Sequence, residues 1–368
     1  MRRVLFWAPV VLGVIFLLLL GYKRRDMALS GKNDFVTFYA GGKLAGTPEL
    51  YSHAANVELI NRLAGQDMGV AYIRPAFYAA ILKPLAALPF RAAYAVFTAL
   101  SLGSFLWFVA RFTRECPALP FVASISIPLL ADVSAGEDAP FLVAILGGSI
   151  LLMRKNRDFA AGLLLSLCAI KFHLFVFVPV LVLLKKRWGL VRGGACGTAA
   201  LIALGMIVNG PGSMLAWIKV LRDPWINPNA AGMPNLHGLV TVLNGDARLE
   251  AILTAGVCLL FLWTTLRSCN FELLFAGSLV CGLLVSFHST IVDDLMLFPV
   301  MILLLSSSEL VPLRAAAGLI LTPIPYFLVL AGAPYSAVFP ISLLLMLAGM
   351  LYSAESLSRS RAGTEAYV

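Results

Sequence analysis

Asp34 is the first residue of this 368-residue chain whose type and setting could perform chemistry. It stands in the stretch NDFVTFYAGGKLAGTPELY, residues 33–51, directly after a hydrophobic segment. A desolvated carboxylate has a raised pKa, which suits a general base at the mouth of a cavity. The alternative is structural, because Asp34 precedes a helix-compatible run and aspartate is a favoured helix N-cap. The sequence leaves both interpretations open.

Lys171 and His173 interrupt an otherwise apolar run, AGLLLSLCAIKFHLFVFVPVLVLL, residues 161–184. A charge at membrane depth costs about 2.5–3.5 kcal/mol on insertion scales, so it indicates function by default. Lysine is a common phosphate binder, and Lys171 could hold the phosphate of a lipid. The alternative is a lysine whose ammonium group reaches the membrane surface along its own alkyl chain.

Two further stretches contain a histidine, and one of them also contains two aspartates. In SFHSTIVDDLM, residues 286–296, His288 could donate to a phosphate or a hydroxyl, and Asp293 or Asp294 could order the loop. A tight turn in which Asp294 caps the next helix explains the same residues equally well. His237 lies in MPNLHGL, residues 233–239, and carries a weaker signal.

Arg74 and the pair Glu137–Asp138 complete the set of charged candidates. Arg74 precedes Pro75 and could bind a phosphate or anchor the chain at a membrane interface. Glu137 and Asp138 follow Gly136 between two apolar segments. They could contact a substrate, or they could form a solvated turn with a helix cap.

Composition identifies the elements that must position these residues. Hydrophobic residues make up 60% of the chain and charged residues 13%, whereas a soluble domain has about 25% charged residues. The surplus predicts a polytopic membrane protein. The net charge of +9 comes from short basic clusters between apolar segments, which the positive-inside rule explains better than nucleic-acid binding does. The six cysteines show no paired spacing, so we expect neither a disulfide nor a metal site.

Apolar windows predict an all-α chain with about twelve membrane spans, within a range of about ten to thirteen, in one domain over residues 1–368. Positive-inside counting favours a hairpin of two short helices over 159–184 and places both termini in the cytoplasm. The other spans are predicted near 5–22, 92–110, 118–135, 139–153, 190–208, 249–267, 272–288, 294–306, 313–331 and 336–352.

The two longest loops, 23–91 and 209–248, are predicted on the outer side and to hold short helices along the membrane surface. This arrangement also places all four histidines, His53, His173, His237 and His288, on the outer side. One basic cluster, Lys23-Arg24-Arg25, conflicts with the positive-inside rule because it opens the first outer loop. Because the histidines gather on the outer side, we expect a functional site to face outward.

Motifs of nucleotide-binding and zinc-protease sites, and a paired DxD, are missing. The order of the remaining blocks resembles glycosyltransferase family 87, polytopic enzymes of the GT-C class. The family includes mannosyltransferases that use polyprenyl-phosphate mannose. The resemblance rests on five blocks in order: DFVTFYAGGKLAGTPELYS, YIRPAFYAAILKPLAALP, GEDAPFLVAILGG, RDFAAGLLLSLCAIKFHLFVFVPVLVLLKKRW and FHSTIVDDLMLFPVMILL.

The resemblance implies a GT-C fold and transfer of a hexose, foremost mannose, from a polyprenyl-phosphate sugar to a lipid or glycan acceptor. Asp34 would be the base of an inverting reaction, with Lys171, Arg74 and His288 at the donor phosphate and with neither a metal nor a cofactor. Substrate contacts are expected from Tyr39, Tyr51, His53, Glu137, Asp138, His173, His237, Asp293 and Asp294. Gly41 and Gly42 would let the backbone approach a ligand closely.

Three segments depart from the family pattern. Arg74-Pro75 stands for a Pro-Pro segment, Gly136-Glu137-Asp138 for Gly-Gln-Asn, and Asn235-Leu236-His237 for Asn-x-Ser. These departures bear on which donor or acceptor is used. The expected setting is a bacterial inner membrane, with membrane lipids as partners and no nucleic acid. The alternatives are a transporter or flippase of a lipid-linked sugar, and a structural membrane partner without chemistry.

Overall fold

The computed structural model describes residues 2–222, 232–308 and 310–365, with the side chains of residues 7–222, 232–308 and 310–353. Every regular element within these ranges is a helix, which confirms the predicted all-α class. The α-helices are α1 Arg2–Tyr22, α2 Arg25–Ser30, α3 Phe35–Leu44, α4 His53–Ala64, α5 Ala76–Ala86, α6 Phe90–Phe112, α7 Leu119–Ser124, α8 Ile127–Ala135, α9 Ala139–Arg154, α10 Asp158–Leu165, α11 Phe177–Leu184, α12 Trp188–Asn209, α13 Ser213–Val220, α14 Leu236–Val242, α15 Ala247–Arg267, α16 Phe271–Val285, α17 Leu297–Ser307, α18 Val311–Ile320, α19 Pro323–Leu330 and α20 Val338–Glu365. Short 3₁₀ helices cover Ser166–Leu174, Asp293–Met296 and Tyr335–Ala337.

Long apolar helices show that the chain is a membrane protein. Within the described residues, four helices are long and apolar enough to cross a bilayer: α6, α12, α15 and the segment Tyr335–Ser353. The number rises to six if each of two bent pairs counts as one span. One pair joins Trp7–Tyr22 to Arg25–Leu44 at 82°, and the other joins α18 to α19 at 52°.

The twelve predicted spans are not confirmed, because several apolar windows fold into shorter helices. The predicted span 118–135 breaks at Ser126, whose side chain accepts a hydrogen bond from the Leu129 amide and so starts α8. Helices α9 and α16 have 16 and 15 residues, whereas a bilayer crossing takes about 20. Hydropathy windows average over such breaks.

The predicted hairpin over 159–184 is confirmed. At its base, Arg187 Nε lies 2.7 Å from Asp158 Oδ2, so the chain returns to the side from which it started. At its tip, the helix is interrupted at Lys171, whose φ of −121° and ψ of 52° are not helical. Helix α9 runs alongside, from Asp138 beside Lys171 to Arg154 beside Arg187. Its length, about 24 Å at 1.5 Å per residue, separates base from tip.

Glycines allow this hairpin to pack directly on the backbone of α12. A Cβ atom at Gly162 would lie 2.2 Å from the Leu190 carbonyl oxygen. A Cβ atom at Gly193 would lie 2.0 Å from the Phe159 carbonyl oxygen. Neither backbone can yield as a flexible side chain would, so both positions require glycine.

The core and the first loop are held by two different apolar clusters. Helix α16 is apolar on every side, and Leu273 to Leu284 are all buried within it, as expected of a helix at the centre of a bundle. The first loop holds α2 to α5 and packs against α6 through aromatic rings, with Phe35 and Phe97 centroids 5.0 Å apart. The short helices predicted in this loop are therefore present.

Candidate functional site

A cavity of about 700 Å³ brings five of the predicted site residues together: Asp34, Arg74, Glu137, His173 and His288. Its walls come from the first loop, the turn between α8 and α9, the hairpin tip and the turn after α16. These segments are far apart in the sequence. The cavity is therefore a product of the helix packing described above.

Hydrogen bonds to the end of α8 position Asp34. Its backbone amide donates to the Ala135 carbonyl oxygen at 2.8 Å, and the buried Asn33 side chain donates to the Ser134 carbonyl oxygen at 3.1 Å. Gly136, with φ +68°, then turns the chain back toward the cavity. Asp34 directly precedes α3, but its side chain makes no capping hydrogen bond. The N-cap interpretation is therefore wrong, and the carboxyl group faces the cavity instead.

Asp34 and Glu137 form a carboxyl pair on the cavity wall. Asp34 lies in the first loop, beyond the bend that ends α1. The surrounding protein and the neighbouring Glu137 carboxylate raise the pKa of Asp34 to about 7. Burial also raises the pKa of Glu137, but the Lys171 ammonium and the Arg74 guanidinium outweigh it and lower that pKa. The pair therefore keeps its first negative charge on Glu137, and Asp34 exchanges its proton near neutral pH.

The Asp34 side chain remains accessible from the cavity although protein surrounds it. Solvent contact favours the charged form of the carboxylate and so opposes the rise in the pKa of Asp34 that burial causes. The Glu137 carboxylate acts in the same direction as burial.

Lys171 lies behind this wall, in a nearly dry cluster of opposite charges. Its side chain is 3% exposed, and its Nζ atom lies 2.6 Å from Asp293 Oδ1, 3.2 Å from Glu137 Oε2 and 3.3 Å from Asp138 Oδ1. It is not a lysine that reaches the membrane surface, as the structural alternative required. Lys171 does not line the cavity, so its predicted phosphate contact stays a prediction. The geometry instead gives it the task of fixing three carboxylates.

Arg74 joins the cluster from the cavity side. Its Nη2 atom lies 3.0 Å from Glu137 Oε2 and 3.5 Å from Asp138 Oδ1. The Asp138 side chain is 1% exposed, which contradicts the alternative of a solvated turn. Two cations thus face three carboxylates at this wall, and Asp34 adds a fourth when it is deprotonated.

Asp293 and Asp294 are neighbours with different surroundings. Asp293 uses one oxygen for Lys171 and accepts a hydrogen bond from the Thr290 amide on the other, at 2.9 Å. Asp294 is fully buried, and neither of its carboxyl oxygens has a hydrogen-bond partner among the described residues. The alternative that Asp294 caps the next helix is therefore wrong. Neither residue lines the cavity.

Two of the four histidines line the cavity. The His173 and His288 rings have centroids 6.4 Å apart. Burial lowers the pKa of His288, so its ring is neutral at neutral pH and can donate a hydrogen bond but carries no charge. His237 pairs with Glu250 at 2.9 Å outside the cavity, and the exposed His53 begins α4.

The two tyrosines and the glycine pair of the first loop do not line the cavity. The Tyr39 hydroxyl donates to the Leu88 carbonyl oxygen at 2.8 Å, and the Tyr51 hydroxyl donates to the Arg74 carbonyl oxygen at 2.9 Å. A Cβ atom at Gly41 would lie 2.3 Å from the Tyr72 ring. The glycines therefore permit close packing of α3, and the expectation that they approach a ligand is wrong.

Lys23, Arg24 and Trp217 are among the cavity residues that were not predicted as site residues. Lys23 and Arg24 line the cavity at the end of α1, where the sequence marked them only as a conflict with the positive-inside rule. Trp217 follows from no motif. Its Nε1 atom donates to the Ile73 carbonyl oxygen at 3.0 Å. Its ring also borders a second, apolar cavity of about 250 Å³.

Within the described residues, no three His, Cys, Asp or Glu side chains are grouped so that they could hold a metal ion. The acidic cluster is instead organised around Lys171 and Arg74. Ammonium and guanidinium groups take the place that a divalent cation occupies in many acidic sites.

Comparison with family models gave one match: glycosyltransferase family 87, over residues 72–290. Comparison with curated proteins gave no match, and comparison with solved structures gave none either. The matched range contains Arg74, Glu137, Lys171 and His288 but begins after Asp34. Because it covers more than half of the 368 residues, the chain belongs to glycosyltransferase family 87.

Proposed function

We propose that this glycosyltransferase moves a hexose, foremost mannose, from a polyprenyl-phosphate sugar to a hydroxyl of a lipid or glycan acceptor. The reaction takes place on the extracytoplasmic face of a bacterial inner membrane, in a GT-C type fold with both termini in the cytoplasm. Asp34 acts as general base. The observation that carries the proposal is the Asp34–Glu137 pair on the wall of the large cavity.

The chemistry requires one proton acceptor near neutral pH. The acceptor hydroxyl attacks the anomeric carbon of the donor and gives its proton to Asp34 as the new C–O bond forms. The bond from the anomeric carbon to the phosphate oxygen breaks, and polyprenyl phosphate leaves with the electron pair. Glu137 is held by Arg74 and Lys171 and forms no covalent intermediate. One base without a covalent intermediate leads to inversion at the anomeric carbon.

The ion cluster supports this role of Asp34 in two ways. It fixes the Glu137 carboxylate, whose negative charge keeps the pKa of Asp34 near the working pH. It also surrounds the reacting region with oriented charges that need no rearrangement when the transition state forms. Lys171, Asp138 and Asp293 act here as positioning residues. Arg74 and His288 line the cavity and can donate to hydroxyl groups of the sugar.

The experiment is a transfer assay in liposomes with radiolabelled polyprenyl-phosphate mannose and total membrane lipid from the source. It compares the wild type with Asp34→Asn, which keeps the size of the side chain but removes the base. Asp26→Asn is the matched control, because Asp26 belongs to the same loop, is 92% exposed and does not line the cavity. We expect transfer to fall by about a hundredfold or more in Asp34→Asn, the usual contribution of a general base, and to persist in Asp26→Asn.

Other outcomes are equally informative. Equal transfer by Asp34→Asn and the wild type would assign the base to another residue. Movement of the labelled donor across the bilayer, without label in a new product, would favour the flippase alternative. Donors that carry glucose, galactose or arabinose then define the sugar.

A further inference from the structure

A donor with a phosphate needs a cation that is not already neutralised, and the inner wall of the cavity does not offer one. Arg74 and Lys171 contact Glu137, Asp138 and Asp293, all within 3.5 Å. A phosphate placed there would face more negative than positive charge. The following inference rests on the proposed function and asks where the phosphate of that donor is bound.

Lys23 and Arg24 are the remaining basic residues on the cavity wall. Both side chains are exposed, and among the described residues no carboxylate lies within 4.0 Å of either one. The next residue, Arg25, is also exposed but differs in the other two respects. It does not line the cavity, its Nε atom lies 3.7 Å from Asp26 Oδ1, and its guanidinium stacks on the Tyr22 ring at 3.9 Å.

The backbone holds the two residues at a sharp change of direction. They lie between α1 and α2, where the chain bends by 82°. The Arg24 amide donates to the Gly21 carbonyl oxygen at 2.8 Å, and the Arg24 carbonyl oxygen accepts from the Ala28 amide at 3.0 Å. The two side chains thus stand at the rim, at the end of an apolar helix.

The wall next to this rim is apolar. Leu20 of α1 lines the cavity together with Ile127 and Leu130 of α8 and Phe327 and Leu330 of α19. Such a surface suits a hydrocarbon chain, and it leads to the two cations at one end. Asp34 lies on the wall of the same cavity. The three parts of the donor, namely chain, phosphate and sugar, therefore each have a matching surface.

We propose that Lys23 and Arg24 bind the phosphate of the isoprenyl-linked donor at the rim of the cavity, with its hydrocarbon chain on the wall around Leu20 and its sugar toward Asp34. This role also accounts for a basic cluster on the side where the positive-inside rule disfavours one. Lys23 and Arg24 precede both the motif blocks and the matched family range.

The test is direct binding of radiolabelled farnesyl phosphate to the purified full chain in nanodiscs of phosphatidylcholine. It compares the wild type, the double variant Lys23→Gln/Arg24→Gln, and double variant Arg25→Gln/Lys32→Gln as the matched control. Both double variants remove two positive charges from the first loop, but Arg25 and Lys32 do not line the cavity. We expect the first variant to bind at least about tenfold more weakly, as for the loss of roughly one charge-assisted hydrogen bond, and the control to bind like the wild type.

Three results of the binding assay would overturn the proposal. One is equal weakening by both double variants, which indicates a general charge effect of the loop. Another is unchanged binding in Lys23→Gln/Arg24→Gln. The third is displacement of farnesyl phosphate by an equal concentration of phosphatidylglycerol, which assigns the two cations to a phospholipid headgroup. If inorganic phosphate competes only at a far higher concentration, the result agrees with a site that also needs the hydrocarbon chain.

The binding assay separates this proposal from the proposed function. Farnesyl phosphate carries no sugar, so its binding does not depend on Asp34 or on the right acceptor. Suppose that the wild type shows no transfer in any assay, but that only the Lys23→Gln/Arg24→Gln variant loses binding. The phosphate site would then stand, and the transferase proposal would fall. If the Lys23→Gln/Arg24→Gln variant shows transfer with an unchanged KM for the donor, the transferase proposal would stand and the phosphate site would fall.

Discussion

Arg74 and Glu137 form an ion pair on the cavity wall, with 3.0 Å between Nη2 and Oε2 and side chains only 12% and 14% exposed. Arg74 closes the first loop, and Glu137 lies in the turn between α8 and α9. Both stand where the resemblance to family 87 led us to expect uncharged residues, proline and glutamine. In the structure the two opposite charges compensate each other on the cavity wall.

The first prediction tests this compensation. Arg74→Gln leaves Glu137 and Asp138 with Lys171 as their only cation in the cluster, so we expect it to lower the free energy of unfolding by about 3 kcal/mol. Glu137→Gln removes the carboxylate that faces Arg74. The double variant Arg74→Gln/Glu137→Gln should therefore recover most of the free energy of unfolding that Arg74→Gln loses. Thermal unfolding of the four proteins in detergent measures the coupling. Additive losses in the double variant would show that the pair is not coupled.

The second prediction concerns pH. Asp34 must be deprotonated to act as base, and its pKa is about 7. The transfer rate should therefore rise with pH up to about neutrality, and fall about tenfold per pH unit on the acid side. Glu137→Gln removes the negative charge that raises the pKa of Asp34, so the rising limb should move to lower pH. Single-turnover rates between pH 5 and 9 in roughly half-unit steps measure this shift. A limb that stays in place in Glu137→Gln would contradict the coupling of the two carboxyl groups.

The third prediction concerns Gly136, where φ is +68° and an added Cβ atom would lie 2.6 Å from Asn33 Oδ1 and 2.9 Å from Phe35 Cβ. Gly136→Ala should displace Asn33 and with it the neighbouring Asp34, so transfer should fall by about tenfold or more. Gly65→Ala is the matched control. Gly65 has φ +69° and its nearest neighbour is Lys32 Nζ at 3.9 Å. Both variants should lose about 1–2 kcal/mol of stability to the left-handed backbone, but transfer should fall only in Gly136→Ala. An equal fall in both would mean that the space around Gly136 is unimportant.

The fourth prediction concerns sidedness. The Asp158–Arg187 ion pair joins both ends of the hairpin, so cysteines introduced at Arg157 and Lys186 should be labelled by a membrane-impermeant maleimide from the same side. A cysteine at Asp26 should be labelled from the opposite side. The experiment uses inside-out and right-side-out vesicles in a background without the six native cysteines. Labelling of Arg157→Cys and Lys186→Cys from different sides would contradict the hairpin.

The sequence predicted the helical class, the membrane setting, the family and five residues of the cavity wall. Apolar composition and charge clusters act over many residues, so averaging over the chain recovers them. Asp34 could be found because a single carboxylate stands out in apolar surroundings. The hairpin could be found because its two basic ends had to lie on one side.

The partners of the charged residues could not be predicted. Lys171 and Asp293 are 122 positions apart, and their 2.6 Å contact depends on the packing of the hairpin against the turn after α16. Sequence reasoning therefore treated Lys171 as a cation available for phosphate. The span count failed for a related reason. A hydropathy window does not register a capping serine such as Ser126, which ends one helix and begins another.

The glycine contacts between the hairpin and α12 have a consequence for how this protein can diversify. Most of α12 is accessible on the outside of the helix bundle, where one apolar side chain can replace another with little effect. Gly162 and Gly193 cannot accept even a methyl group, because the opposite carbonyl oxygens lie too close. The hairpin that carries Lys171 is thus tied to a helix that contributes nothing to the cavity wall near Asp34. Inherited changes at these two buried glycines would therefore alter catalysis from a distance, because they would displace the hairpin that positions Lys171.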